Sequence, residues 1–194
     1  MKQTHDLIQD LSQEHVTIKS ILKIITEIVE NTNSKKIYNV KDVEGIIYFI
    51  DDYVVKNHYR KEELLFHSLL SIVTKSEIEA FNILMQDHIN ETAIVKEIIM
   101  ALDKCKSISP GSFQVITNNL KIYVDMLQTH ILVEDITTFP LIDKLLTEQM
   151  RTDITVQFED IQKKVFKKTT KEQYEQYILK LDNKYVMKGE VLFY

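Results

Sequence analysis

The sequence predicts an all-α protein on three observations: chain breakers are scarce, apolar residues recur at helical spacing, and that spacing runs on through long segments. Three glycines and two prolines in 194 residues lie far below ordinary usage. The stretches between them, rich in Ile, Leu, Lys and Glu, favour helix and carry no turn signals. A chain of this length buries one real core and leaves little room for a second. The simplest arrangement of four long helices on short loops is an antiparallel up-down-up-down four-helix bundle. It is expected over residues 1–148, with a C-terminal helical extension over residues 149–194 packed on or beside it.

Taken in order, apolar residues recur helically from about Thr4 to Asn31, and polar Asn31-Thr32-Asn33-Ser34 closes this first helix. A second helix is expected from about Val40 to Val73, where Thr74-Lys75-Ser76 interrupts. Ser76 with Glu79 has the spacing of a capping box, opening a third helix that runs to about Cys105. Ser109-Pro110-Gly111 breaks the chain and suits the start of a fourth, because the first turn does not need the N–H that proline lacks. This helix reaches about Phe139. Pro140 is expected to end or kink it, having no N–H and clashing with the preceding turn, and Leu141 to Met150 continues at an angle. From about Thr152 to Val186, Phe158, Ile161 and Val165, then Tyr174, Tyr177, Ile178 and Leu181, mark an appended helix or hairpin.

Composition excludes several function classes. A net charge of -5 and a pI near 5.7 argue against a general nucleic-acid binder, which carries a basic face. No run approaches the roughly 18 apolar residues that span a bilayer, so no membrane role is expected. Cys105 has no second cysteine to pair with, and the polar start Met1 to Asp10 lacks the basic-then-apolar profile of a signal peptide. A reducing, cytoplasmic setting is the expectation.

Each predicted helix then interrupts its apolar stripe at one level. The first reads Leu7, Leu11, His15, Ile18, Leu22, Ile25, Val29; the second Ile47, Ile50, Val54, His58, Glu62, Leu65, Leu69. The third reads Ile78, Phe81, Met85, His88, Thr92, Val95, Ile99, Leu102, and the fourth Ile116, Leu120, Tyr123, Leu127, His130, Glu134. Burying an imidazole or carboxylate is costly unless it is paired or binds metal, and six such groups need a common partner. Residues four apart share a helix face, so His58 with Glu62, and His130 with Glu134, aim at one place. Counting from the loops at about 1.5 Å per residue sets the four histidines within about one turn in height.

Imidazole with carboxylate, and no thiolate, suits iron, manganese or zinc. Six protein ligands are too many for one tetrahedral zinc and fit two bridged metals. Two divalent ions bring four positive charges against two from the glutamates, and a bridging hydroxide or oxide reduces the surplus.

Ferritin-like two-iron bundles use Glu-x-x-His, which occurs nowhere in this chain. Here histidine comes first, in His58-Tyr-Arg-Lys-Glu62-Glu63-Leu-Leu-Phe and His130-Ile-Leu-Val-Glu134-Asp135. Successive histidines are 43, 30 and 42 positions apart, and Phe139-Pro140 follows the last pair. From roughly Thr4 to Leu146 the chain resembles the haemerythrin-like family, the HHE cation-binding domains. The resemblance implies a four-helix bundle holding two iron ions bridged by oxide or hydroxide. Glu62 and Glu134 would bridge, and His15, His58, His88 and His130 would cap the irons. It further implies a small ligand (O2, NO or peroxide) that is bound, or alternatively removed by a redox enzyme, or a role in donating iron to repair iron centres. A protein redox partner belongs with the enzymatic roles. Oxygen-carrying haemerythrins have His-x-x-x-His on the third helix, whereas His88 is followed here by Thr92, so plain oxygen carriage is not expected. Phe66-His67-Ser68 replaces the family's common Phe-Pro, which lets the second helix run on.

Other polar residues are read as peripheral. His67, nine positions after His58, falls on the opposite helix face, and His5 lies off the stripe. Asp135 competes with Glu134 as bridge, because haemerythrins use an aspartate five residues after this histidine; symmetry with Glu62 favours Glu134. Glu63 reads as a solvated neighbour and Cys105 as an inert thiol, while Tyr123 reads first as core packing, with lining the pocket, donating to a bound oxygen species or supplying the missing ligand as the alternatives. Lys163-Lys164-Val165-Phe166-Lys167-Lys168 reads as a solvated helix face.

Overall fold

The structure, a computed structural model, describes residues 6–33, 39–105 and 110–187, so His5 and the Cys105 side chain lie outside the described residues. Every regular element among these is helical, and none is a strand. Helix α1 spans Leu7–Asn33. Helix α2, Val40–Phe49, passes without a break through a π-helical segment, Ile50–His58, into α3, Tyr59–Leu69. Helix α4 is Lys75–Cys105. Helix α5, Pro110–Val133, continues through a second π-helical segment, Glu134–Thr138, into α6, Phe139–Leu145. Helices α7, Glu148–Val165, and α8, Lys171–Tyr185, follow one another end to end along the α2–α3 rod: Phe158 lies by Lys61, Phe166 by Tyr53, Tyr174 by Asp52 and Tyr185 by Asp42. No helix among the described residues is long and apolar enough to cross a membrane.

Helix α5 packs between α4 and α1, α4 reaches the α2–α3 rod, α8 lies along α1, and α7 lies along the first π-helical segment and α3. The predicted stripes of the first, second and fourth helices are buried throughout. On α4 the phase differs. Its buried line is Phe81, Leu84, His88, Glu91, Val95, Ile98 and Leu102, so Ile99 is exposed and Thr92 is only partly covered. The apolar core is divided in two. Ile18, Ile25, Ile50, Val95 and Leu127 belong to one cluster, whereas Leu11, Leu65, Leu84, Phe139 and Phe158 belong to the other. The polar layer lies where they part.

Three boundaries differ from expectation for local reasons. The second helix stops at Leu69, and the Val73 amide folds back onto the Leu69 carbonyl. The cap of α4 is Thr74 with Glu77: the Glu77 carboxylate accepts from the Thr74 amide at 2.6 Å, and the Thr74 hydroxyl accepts from the Glu77 amide at 3.4 Å. This pair satisfies the same capping-box spacing as Ser76 and Glu79, one half-turn earlier. Pro140 does not end its helix. The Phe139 amide bonds to the Glu134 carbonyl, five residues back, and in that wider register proline's missing N–H falls in the first turn of α6, where it costs least. The chain breaks instead at Leu146, whose backbone is extended, and the Thr147 hydroxyl caps α7 by accepting from the Met150 amide at 3.2 Å. Leu141 to Met150 is thus divided between two helices.

Helix α8 is held on α2 by polar contacts around Asp42. Tyr177 donates to the Asp42 backbone carbonyl at 3.1 Å, while Lys184 and Tyr185 bond the Asp42 carboxylate. A Cβ at Gly45 would overlap the Tyr177 ring and hydroxyl. Gly45→Ala is therefore expected to destabilise the protein by about 1–3 kcal/mol through overpacking, although alanine is the better helix former. Chemical denaturation checks this; an unchanged midpoint would show that the ring moves aside freely.

Candidate metal centre

His15 of α1, His58 at the end of the first π-helical segment, Glu62 of α3, His88 of α4, His130 of α5 and Glu134 at the start of the second π-helical segment meet in one buried layer. Their ligand atoms form two overlapping groups. His15, His58, Glu62 and Glu134 make one, and Glu62, His88, His130 and Glu134 the other, with the atoms of each group within 4.8 Å of one another. Both glutamates belong to both groups.

All four imidazoles turn the same way, with Nε2 inward. Nε2 of His58 lies 3.1 Å and that of His15 3.5 Å from Glu62 Oε1, while His88 Nε2 lies 3.3 Å from Glu62 Oε2. Glu134 receives His15 at 3.3 Å and His130 at 3.2 Å. Despite these distances, both oxygens of Glu62 and of Glu134, and Nε2 of His15 and His58, lack a partner with hydrogen-bond geometry. Buried polar atoms in native structures are almost always hydrogen-bonded. Two carboxylates and two imidazole nitrogens that converge without hydrogen-bond geometry between them are the arrangement a cation satisfies, and beside them Nε2 of His88 and of His130 share a hydrogen bond of 3.1 Å.

The outward Nδ1 atoms face a second ring of carboxylates. His15 Nδ1 bonds Asp135 at 2.7 Å, and His58 Nδ1 donates to Glu14 at 3.0 Å. His88 Nδ1 faces Glu63, and His130 Nδ1 faces Asp87, each at 3.6 Å. Such outer partners orient metal-binding imidazoles and raise their basicity. Asp135 thus stands behind His15 and bonds Lys19 at 2.6 Å, whereas Glu134 faces the layer.

The layer is strongly polarised. Burial alone would lower the histidine pKa values, but the carboxylates outweigh it: Asp135, Glu134 and Glu62 raise His15 to about 11, Glu62 and Glu63 raise His88 to about 10, and Glu134 raises His130 to about 9. Glu62 is held well below the usual carboxylate range, because His58, His15 and His88 overcome its desolvation. Without metal the imidazoles carry protons in the place of a cation, and metal uptake must release them.

The sequence model of the Hemerythrin HHE cation binding domain matches residues 6–142. The chain belongs to the haemerythrin HHE family. No curated protein and no solved structure matches it. In this haemerythrin-like chain the matched region contains all six inward residues and ends at Ile142, before α7 and α8.

Two buried acids escaped sequence reasoning. Glu91 lies one position before Thr92, on the true inward phase of α4. The Tyr59 hydroxyl donates to it, one of its oxygens has no partner, and burial raises its carboxyl to about 7. Glu14 precedes His15, and its neighbour Lys61 precedes Glu62; both are buried because the C-terminal helices cover the side of the rod that a narrow stripe leaves in water. Tyr123 is fully buried beside Tyr59, and Tyr59 stacks on His88 at 4.0 Å. His67 is exposed, and Lys163 and Lys164 pair with Glu159 and Asp160 on their own exposed face.

Proposed function

We propose that the protein is a non-haem two-iron protein that binds O2, NO or a related small oxidant. Its core is read as an up-down-up-down bundle of four rods over residues 1–148, with residues 149–194 as a C-terminal helical extension packed on or beside it. His15 and His58 would hold one iron and His88 and His130 the other, while Glu62 and Glu134 would be shared by both, with oxide or hydroxide as a further shared ligand. The observation that carries this reading is the pair of overlapping ligand groups that share two carboxylates without hydrogen-bond geometry. Iron, when bound, would supply the redox change and the affinity for a small oxidant. The proposed approach is an apolar groove of about 480 Å3, lined by Ala80, Leu84, Asp87, Met126, Thr129 and Val133, that reaches His130 from its outer side, where Asp87 faces Nδ1.

One observation favours an enzymatic reading beside it, the removal of peroxide or NO, or the donation of iron to repair iron centres. Reduction of such substrates consumes protons, and Glu91 with the Tyr59 hydroxyl places a carboxyl with a pKa of about 7 against the His88 side of the layer.

Metal analysis and a visible spectrum of aerobically purified protein test the centre. Two irons per chain are expected, lost in His58→Ala and His130→Ala. Near-zero iron, or iron retained by both variants, overturns the assignment. Anaerobic reduction followed by O2, NO or peroxide then divides the readings: colour that returns without turnover favours binding, and sustained consumption favours the enzyme.

A further inference from the structure

The four carboxylates behind the histidines are not equivalent. Asp135, Glu63 and Asp87 are 28%, 27% and 35% exposed, where water and salt screen their charge. Glu14 is wholly buried and bonded throughout by the chain itself. One of its oxygens accepts from His58 Nδ1 at 3.0 Å; the other accepts from Lys61 Nζ at 2.6 Å and Asn57 Nδ2 at 3.2 Å. Lys61 is itself 1% exposed. An ammonium is rarely buried so completely, and this one is covered by the C-terminal helices. The Phe158 ring of α7 lies 5.4 Å from Nζ, and Lys171, the first residue of α8, brings its own Nζ to 3.8 Å from Glu14.

The geometry points to Glu14 and Lys61 as positioning residues through which the C-terminal helix α7 sets how tightly the metal beside His58 is held. This rests on the metal reading above. A carboxylate on Nδ1 fixes the ring so that the Nε2 lone pair faces inward, and it raises the basicity of that nitrogen. In a dry setting the effect acts at full strength. Lys61 balances the buried charge, which unpaired would be strongly destabilising, and its ammonium in turn is sheltered by the face of Phe158. Loosening α7 admits water to the pair and weakens its hold on His58. Helices α7 and α8 lie outside the matched family region yet reach the centre through this pair.

The test measures iron(II) affinity by chelator competition, together with the reduction potential, on the full-length chain. Glu14→Gln with Lys61→Met replaces the pair by neutral groups of similar shape, so that no buried charge is left alone. It is expected to weaken iron binding roughly 10–100-fold, the usual effect of removing an outer-shell partner, and to raise the potential as electron donation to His58 is lost. Phe158→Ala should weaken binding in the wild-type background and add nothing in the paired variant. Ile178→Ala, which removes packing between α8 and α1, should lower stability and leave affinity and potential unchanged. The inference is overturned if the paired variant matches wild type in both readouts, if Phe158→Ala adds its full effect in that variant, or if Ile178→Ala shifts affinity as Phe158→Ala does. Wild-type protein that takes up no iron overturns the metal reading and this inference together.

Discussion

Glu62→Ala is expected to empty the centre. Glu62 lies within 3.5 Å of Nε2 of His15, His58 and His88, and it belongs to both ligand groups, so its loss strips each proposed metal of a ligand. Removing outer-shell partners alone lowers metal affinity about 10–100-fold, and an inner ligand shared by two ions should cost more than that. Iron analysis of the purified variant should fall well below one ion per chain. The metal-free variant should also lose stability, on the order of 3–5 kcal/mol in urea titration, because protonated buried imidazoles are left without their counter-charge. A structural cluster that never binds metal predicts that full-length wild-type protein carries no iron. Asp135→Asn, behind His15 and partly exposed, should give the milder effect of an outer partner.

Alkaline pH should unfold the metal-free protein well before the loaded one. His15, His88 and His130 are raised from an ordinary value of 6.5 to about 11, 10 and 9. A raised histidine contributes stability that is fully present below its unfolded value and is lost as pH climbs through the folded one. The loss therefore begins near pH 6.5, continues to about pH 11, and amounts to several kcal/mol in order of magnitude. Glu91 acts in an earlier window: a carboxyl raised from 4.5 to about 7 by burial resists ionisation, so stability falls between those values. Metal replaces the histidine protons and removes their dependence on pH. The difference in melting temperature between loaded and metal-free protein should thus widen from pH 6.5 to 10, and uptake should release protons to a weakly buffered solution. A constant difference across that range would show that the imidazoles are not protonated in the metal-free state.

The fold class and the layer of six inward residues were legible because four helices each placed one costly side chain in an otherwise apolar stripe. His15, His58, His88 and His130 interrupt their stripes at a single height, which needs only helical period and loop positions to see. What escaped has physical causes. Glu91 was missed because a stripe drawn through Thr92 and Ile99 fits α4 nearly as well as the true line through Glu91 and Ile98. Lys61 and Glu14 were missed because a long charged residue beside a buried one normally reaches water, and only the distant Phe158 and Lys171 prevent it here. Both π-helical segments were invisible, since a change of hydrogen-bond register leaves the apolar spacing almost intact.

Those segments have a consequence for how the chain tolerates change in length. His58 closes one and Glu134 opens the other, and each segment holds its backbone in bonds that span five residues, as between Tyr59 and Val54 or Phe139 and Glu134. A helix that can take up or release one residue within such a turn can pass an insertion or deletion without rotating everything beyond it. The ligand pairs therefore sit beside built-in slack. The spacing between histidine and glutamate is kept within each pair, while the rods on either side remain free to match the lengths of their neighbours.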